Sequence, residues 1–308
     1  MNRQHSLKTA LLLTFAALLL IGGQLFHALP SCNTRPAMCF DFGAYAYAPY
    51  HYRVLSYALE GMPQSVTPSL FVNDVLIHSA AIVLILVGLY IWLKRWSGAN
   101  GALLGILLLT ANWMFAYNYY QRDKATAIEL ACVVWFLVAM DYRRILPSVA
   151  ILILASLNRE TGFLLAALWA LYHLPCWRER RYWVNGAALL LAYGAVYLSL
   201  RMALGNADHI LGFDGTLAYN LDNIPNALLI NLILAPFWIL GILSTRHAPA
   251  PLRNMALILL LYVPMVALGG GWIETPRLLM PMFPVILPGI VYGIIGTLDR
   301  HIPSKVVK

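Results

Sequence analysis

Long apolar runs alternate along this chain with short polar stretches. The runs are continuous and do not switch between apolar and polar at every second residue, which is a helix pattern and not a half-buried strand pattern. Runs at 9–29, 71–92, 101–117, 126–140, 184–200, 227–243, 255–268 and 278–297 each predict one helix able to cross, or nearly cross, a bilayer. The segment 145–177 is different. It is apolar over 145–157 and again over 163–174, and Asn158-Arg159-Glu160-Thr161-Gly162 interrupts it. Arg143 and Arg144 precede it, and Arg178, Arg180 and Arg181 follow it.

Lys and Arg accumulate on the cytoplasmic side of membrane proteins, so the flanking basic residues put both ends of this segment there. The chain must then go out and return within it. Each arm is about 12 to 16 residues, roughly 18–24 Å of helix, and a hydrocarbon core is about 30 Å thick. The turn is therefore expected near or just below the outer surface, in a protein-lined cavity where irregular backbone is tolerated. Arg159 and Glu160 are sequence neighbours, so they point apart and need separate partners. The plainer alternative is an ordinary hairpin turn, with Arg159 snorkelling outward and Glu160 pairing locally.

Counting the hairpin as two spans gives an all-α, polytopic membrane protein. It has about ten transmembrane helices and both termini in the cytoplasm. The chain, 1–308, forms a single transmembrane domain with external loops near 31–69, 201–226 and 269–277. Charge sorting agrees: 14 of the 21 Lys and Arg fall inside, but only Asp141, Glu179 and Asp299 of the 13 acids do.

Composition strengthens the membrane reading. Hydrophobic residues make up 61% of the chain and charged residues 11%, against about 25% charged in soluble domains. The net charge of +8 is spread over short clusters between apolar runs, which fits membrane orientation and not nucleic-acid binding. There is no P-loop and no G-x-G-x-x-G, so ATP-driven transport has no visible engine. Cys32 and Cys39 share the first external loop, where an oxidising compartment would allow a disulfide. Cys132 and Cys176 read as packing residues.

The polar residues that invite a functional reading all fall on the outer side. The first loop offers Asp41, a run of tyrosines that includes Tyr52, then Arg53 and Glu60. The hairpin gives Arg159 and Glu160, the second large loop Arg201, Asp208, His209, Asp214 and Asp222, and the last external turn Glu274 and Arg277. Several arginines with a few carboxylates suit a phosphate-bearing ligand, because Arg holds phosphate oxygens bidentately and a carboxylate can take a proton from a hydroxyl nucleophile. Each also has a structural reading. The tyrosines can form an interfacial aromatic belt, Asp41 can cap a helix or face water, and the acids of the second loop are expected to be solvated and not metal ligands.

Three motifs in order resemble a known group: Asp41 followed by Tyr52-Arg53, the Asn158–Thr161 turn in a broken hairpin, and Glu274-Thr275-Pro276-Arg277 entering a span with Pro281 and Pro284. Together they resemble the GT-C superfamily of polytopic glycosyltransferases, in particular bacterial members that use a polyprenyl-phosphate sugar. The resemblance implies transfer of a sugar from that donor to a glycan, lipid or protein acceptor on the outer face of a bacterial inner membrane. It implies Asp41 as general base, Arg159 and Arg277 on the donor phosphate, and Tyr52, Arg53, Glu160 and Glu274 lining the substrate pocket. No resident metal or cofactor is assigned; the sequence leaves assistance by a divalent metal open. The partners expected are the lipid donor, membrane lipids and the acceptor, with no nucleic acid. The alternative is a transporter or flippase of a lipid-linked or anionic substrate, and a non-enzymatic assembly subunit whose charges pair helices is the third class.

Overall fold

The computed structural model of the protein describes residues 8–22, 53–61, 70–113, 124–205, 218, 221–225, 239–244, 246, 248–268 and 280–301. Asp41, Tyr52, Glu274, Arg277, Cys32 and Cys39 lie outside these residues, as do most of the three expected external loops. The described residues are helical and contain no strand. In chain order the helices are α1 (Lys8–Gly22), α2 (Val54–Gly61), α3 (Leu70–Trp113), α4 (Lys124–Asp141), α5 (Ile145–Asn158), α6 (Phe163–Tyr172), α7 (Arg180–Leu204), α8 (Ala250–Ala256), α9 (Leu259–Leu268) and α10 (Phe283–His301). Short 3-10 turns at Glu160–Gly162, Leu174–Cys176 and Met280–Met282 connect several of them.

The stretch Leu70–Trp113 is 44 residues long, but it is not one rod. Gly98 leaves the helical region, with φ 71 and ψ −177. A Cβ placed on Gly105 would overlap the Leu93 side chain, although 12 residues of straight helix would hold these positions about 18 Å apart. The chain therefore folds back at Gly98 into two antiparallel arms, 70–97 and 99–113. The chain is helical over 71–92 and 101–113, where two of the expected helices fall, and the turn between them comes after the Lys94-Arg95 pair. Only a residue without a Cβ adopts φ 71 at little cost. Gly98 is exposed, and a Cβ there would touch nothing within 4 Å. Gly98→Ala is therefore expected to cost about 1 kcal/mol through backbone strain alone, measurable as a lower midpoint of thermal unfolding in detergent.

The centre of the bundle is α4. Its sequence is apolar all round, which suits a helix surrounded by others. Ala127, Leu130, Val134, Phe136 and Leu137 are completely buried. It packs along α3 on one side and α5 on another. Gly88 allows the close approach of α3: a Cβ there would come within 2.7 Å of Val134 and 3.1 Å of the Trp135 indole nitrogen. That nitrogen donates to the Leu84 carbonyl at 3.0 Å. Helix α10 packs on α3, and the Tyr292 hydroxyl donates to the Trp96 carbonyl at 2.6 Å.

The outside of the bundle is apolar too. In α7 only Leu189 is buried, while Leu190, Leu191, Leu198 and Met202 are exposed, Met202 at 86%. Leu146 on α5 and Leu260 and Leu261 on α9 are also exposed. Soluble monomers rarely show apolar surface on this scale. By length and composition two helical stretches are long and apolar enough to cross a membrane, Val75–Trp113, which folds back at Gly98, and Arg180–Leu204; the other apolar helices are shorter.

Several element boundaries differ from those expected. The first loop contains a helix, α2. The span expected at 184–200 runs from Arg180 to Leu204 and so takes in Arg201. The span expected at 255–268 is broken by a turn at Leu257 and Ile258. Pro288 lies inside α10.

Candidate functional site

The two arms of the broken hairpin do lie side by side. The start of α5 (Arg144, Ile145, Ser148) and the end of α6 (Trp169, His173) line the same cavity, so the chain reverses at Asn158–Gly162. The reversal is tight. Arg159 is extended, with φ −153 and ψ 145, between the last residue of α5 and the 3-10 turn. Gly162 has ordinary helical angles, so its glycine serves close packing and not backbone freedom. A Cβ on it would overlap the Ser156 hydroxyl and lie 2.8 Å from the Ser156 backbone N and Cα.

Each polar residue of the turn has a distinct partner. Asn158 is fully buried, and its amide donates to the Ala125 carbonyl at 2.7 Å. The Arg159 guanidinium is buried, with 7% of the residue exposed. Its Nη1 donates to Glu129 Oε2 at 2.9 Å and its Nη2 to Thr126 Oγ1 at 2.8 Å. The Thr161 hydroxyl donates to the other Glu129 oxygen at 2.6 Å. Glu129 thus clamps both sides of the turn from α4. Tyr262 of α9 is buried close enough to feel both the Glu129 and Arg159 charges. One buried acceptor, Asn158 Oδ1, has no hydrogen-bond donor among the described residues.

Glu160 points elsewhere. Its carboxylate takes a hydrogen bond from Arg201 Nη2 at 2.5 Å, and both side chains are partly exposed. The Arg201 guanidinium also lies over the Tyr197 ring at 5.2 Å, and the Tyr193 hydroxyl donates to the Glu160 carbonyl at 3.2 Å. Ser156, Glu160, Tyr193, Tyr197 and Arg201 line a small cleft at this end of α7. No family model, curated protein or solved structure matches the chain.

The neighbouring residues Arg159 and Glu160 therefore do take separate partners. The plainer hairpin reading fails at both residues. Arg159 is buried and does not snorkel outward, and Glu160 pairs with a residue 41 positions away. Arg53, also expected in the pocket, is buried at the start of α2, which packs on α5 and α4.

Two members of this cluster carried no assigned role in the sequence reading. Glu129 stands alone as an acid in the apolar run 126–140, and an ionisable residue in such a run is by default a functional or pairing group. Arg201 stands one residue beyond the end of the apolar run 184–200, where a loop is expected. Among the described residues no group of three or more His, Cys, Asp or Glu is arranged to hold a metal ion.

A second buried carboxylate, Asp141, lies at the end of α4 remote from Glu129. It accepts a hydrogen bond from the Tyr172 hydroxyl at 2.5 Å and pairs with Arg95. Trp96 packs edge to face on both Trp92 and Tyr172, and Trp92 is tilted against Tyr172. Through Arg95 and Tyr172, α3 and α6 are joined to this end of α4 at one carboxylate.

Proposed function

We propose that the chain is a polytopic integral membrane glycosyltransferase with a GT-C-like arrangement, taking a sugar from a polyprenyl-phosphate donor at the outer face of a bacterial inner membrane. The observation that carries this reading is the polar turn at Asn158–Gly162. It is buried at the far end of a short broken hairpin, clamped from below by Glu129, and it presents the Glu160–Arg201 pair at the rim of a cleft. Buried charges in an apolar bundle are costly and mark sites. The lipid-like exterior of α7 and the resemblance of the Asp41, Asn158–Thr161 and Glu274–Arg277 motifs support the same reading.

In the proposed reaction Asp41 takes the proton of the acceptor hydroxyl. The acceptor oxygen forms the new bond to the sugar's anomeric carbon, and the bond from that carbon to the phosphate oxygen breaks. The electron pair leaves on polyprenyl phosphate, which is already a competent leaving group, so no nucleotide is needed. The developing phosphate charge falls to arginines. Both terminal nitrogens of Arg159 are engaged by Glu129 and Thr126, so Arg159 is assigned the positioning of the turn. Arg201 and Arg277 hold the donor phosphate, and Tyr52, Arg53, Glu160 and Glu274 border the substrates.

A second reading draws on the same pairs. In an assembly subunit, Arg159–Glu129 and Glu160–Arg201 would serve only to join helices. The two readings separate on turnover. Purified protein given radiolabelled polyprenyl-phosphate sugar and a crude acceptor mixture should release sugar from the lipid. Asp41→Asn and Arg201→Gln should each slow that release by about a hundredfold, the size of effect seen when a general base or a transition-state charge partner is removed. Release unaffected by both substitutions would remove these roles.

A further inference from the structure

At the other end of the hairpin lies a cavity of about 140 Å³, roughly ten times the space of about 10–15 Å³ that one water needs. Its charged and imidazole lining comes from separate parts of the chain. Arg143 and Arg144 belong to the loop between α4 and α5, His173 to the turn after α6, and Arg181 to the first turn of α7. Glu179 is the one acid at its edge, so cations outnumber anions three to one. Aromatic rings form part of the wall: Trp169 lies tilted against His173 at 4.8 Å and against Tyr182 at 5.3 Å between ring centres.

Three further observations set this cavity apart from an ordinary cluster of orientation charges. Arg143 is the one described residue other than glycine with positive φ, at 54°. That conformation is uncommon for a long side chain and worth a functional look. Both helices that begin at the cavity, α5 of 14 residues and α7 of 25, lack a side-chain cap, so their N-terminal dipoles add positive potential. Burial, then the nearby Arg143 charge, holds the His173 imidazole down at about 4. It is therefore neutral at pH 7 and adds a hydrogen-bonding group without adding charge.

We propose that this cavity is a phosphate-binding site, filled by the headgroup of an anionic lipid or by a free phosphate. Arg143, Arg144 and Arg181 are the ligands, with charge-assisted hydrogen bonds to the phosphate oxygens. The surroundings suit a lipid: Leu146, Trp183 and Val184 are exposed next to the basic residues, Leu146 at 79%, where acyl chains would lie. The lipid source rests on the membrane reading, but the phosphate chemistry does not. Arg181 lies 20 residues before Arg201 on α7, about 30 Å along the helix. Failure of this site therefore leaves the transferase reading untouched, and failure of the transferase reading leaves this site testable.

The test uses the full-length protein in neutral detergent, with the midpoint of thermal unfolding as readout. One arm titrates short-chain phosphatidylglycerol, a second titrates phosphatidylcholine, and a third uses inorganic phosphate. Phosphatidylglycerol should stabilise saturably and phosphatidylcholine should not. Stabilisation by inorganic phosphate at comparable concentration would assign the site to a soluble phosphate. Arg143→Gly keeps the backbone comfortable at positive φ, so weaker binding in that variant cannot be ascribed to strain. It and Arg181→Gln should each raise the apparent dissociation constant at least about tenfold. Arg178→Gln is the control, because Arg178 stacks on Trp177 and does not line the cavity. Binding of neither anion, or equal weakening by Arg178→Gln, would overturn the proposal.

Discussion

Replacing Glu129 with Leu should destabilise the protein by about 3–5 kcal/mol, because it leaves the Arg159 guanidinium buried without its counter-charge. The geometry makes this severe. Glu129 accepts from Arg159 at 2.9 Å and from Thr161 at 2.6 Å, so one substitution strips two donors of their acceptor. Arg159→Met alone should cost a similar amount for the converse reason. The double substitution Glu129→Leu/Arg159→Met should recover much of either loss, since an apolar pair of similar volume avoids both desolvation terms. Thermal and denaturant unfolding of the three variants in one detergent gives the coupling directly. Additive losses would mean that the two groups do not depend on each other, contrary to the bond between them.

Gly162→Ala should be the next most damaging change. The added methyl meets the Ser156 hydroxyl and also the Ser156 backbone, at 2.8 Å from N and Cα. Backbone cannot rotate away, so either the turn or the end of α5 must shift. Overpacking of this kind costs about 1–3 kcal/mol. The companion Ser156→Ala/Gly162→Ala separates the two contacts. Removing the hydroxyl should recover little, because the backbone contact persists. A full recovery in the double variant would place the conflict at the hydroxyl alone.

The helical character and the broken hairpin were legible in the apolar runs and in the polar turn between two basic clusters. The separate partners of Arg159 and Glu160 were legible as well, since adjacent residues cannot face the same way. The partners themselves were not. Glu129 and Arg201 lie 30 and 41 residues from the residues they bind, and only packing of α4 and α7 against α5 brings them there. Glu129 had a signal, its isolation in an apolar run. Arg201 reads as a loop residue because the apolar run ends at Leu200, whereas the helix continues to Leu204. The turn at Gly98 was read slightly early, because Lys94 and Arg95 look like a loop. In the structure Arg95 instead pairs with Asp141, so a residue that reads as loop charge joins α3 to the end of α4.

The most direct test of the transferase account is donor consumption by a charge-swapped pair. Purified wild-type protein, Glu160→Arg, Arg201→Glu and the double swap Glu160→Arg/Arg201→Glu would each be given radiolabelled polyprenyl-phosphate sugar, and the loss of sugar from the lipid followed. If Arg201 holds the donor phosphate and Glu160 borders the substrate, wild type consumes the donor, each single swap abolishes consumption, and the double swap stays inactive while regaining stability. Consumption restored by the double swap, or no consumption of any polyprenyl-phosphate sugar by wild type, would contradict the account and leave the pair as a helix-joining contact.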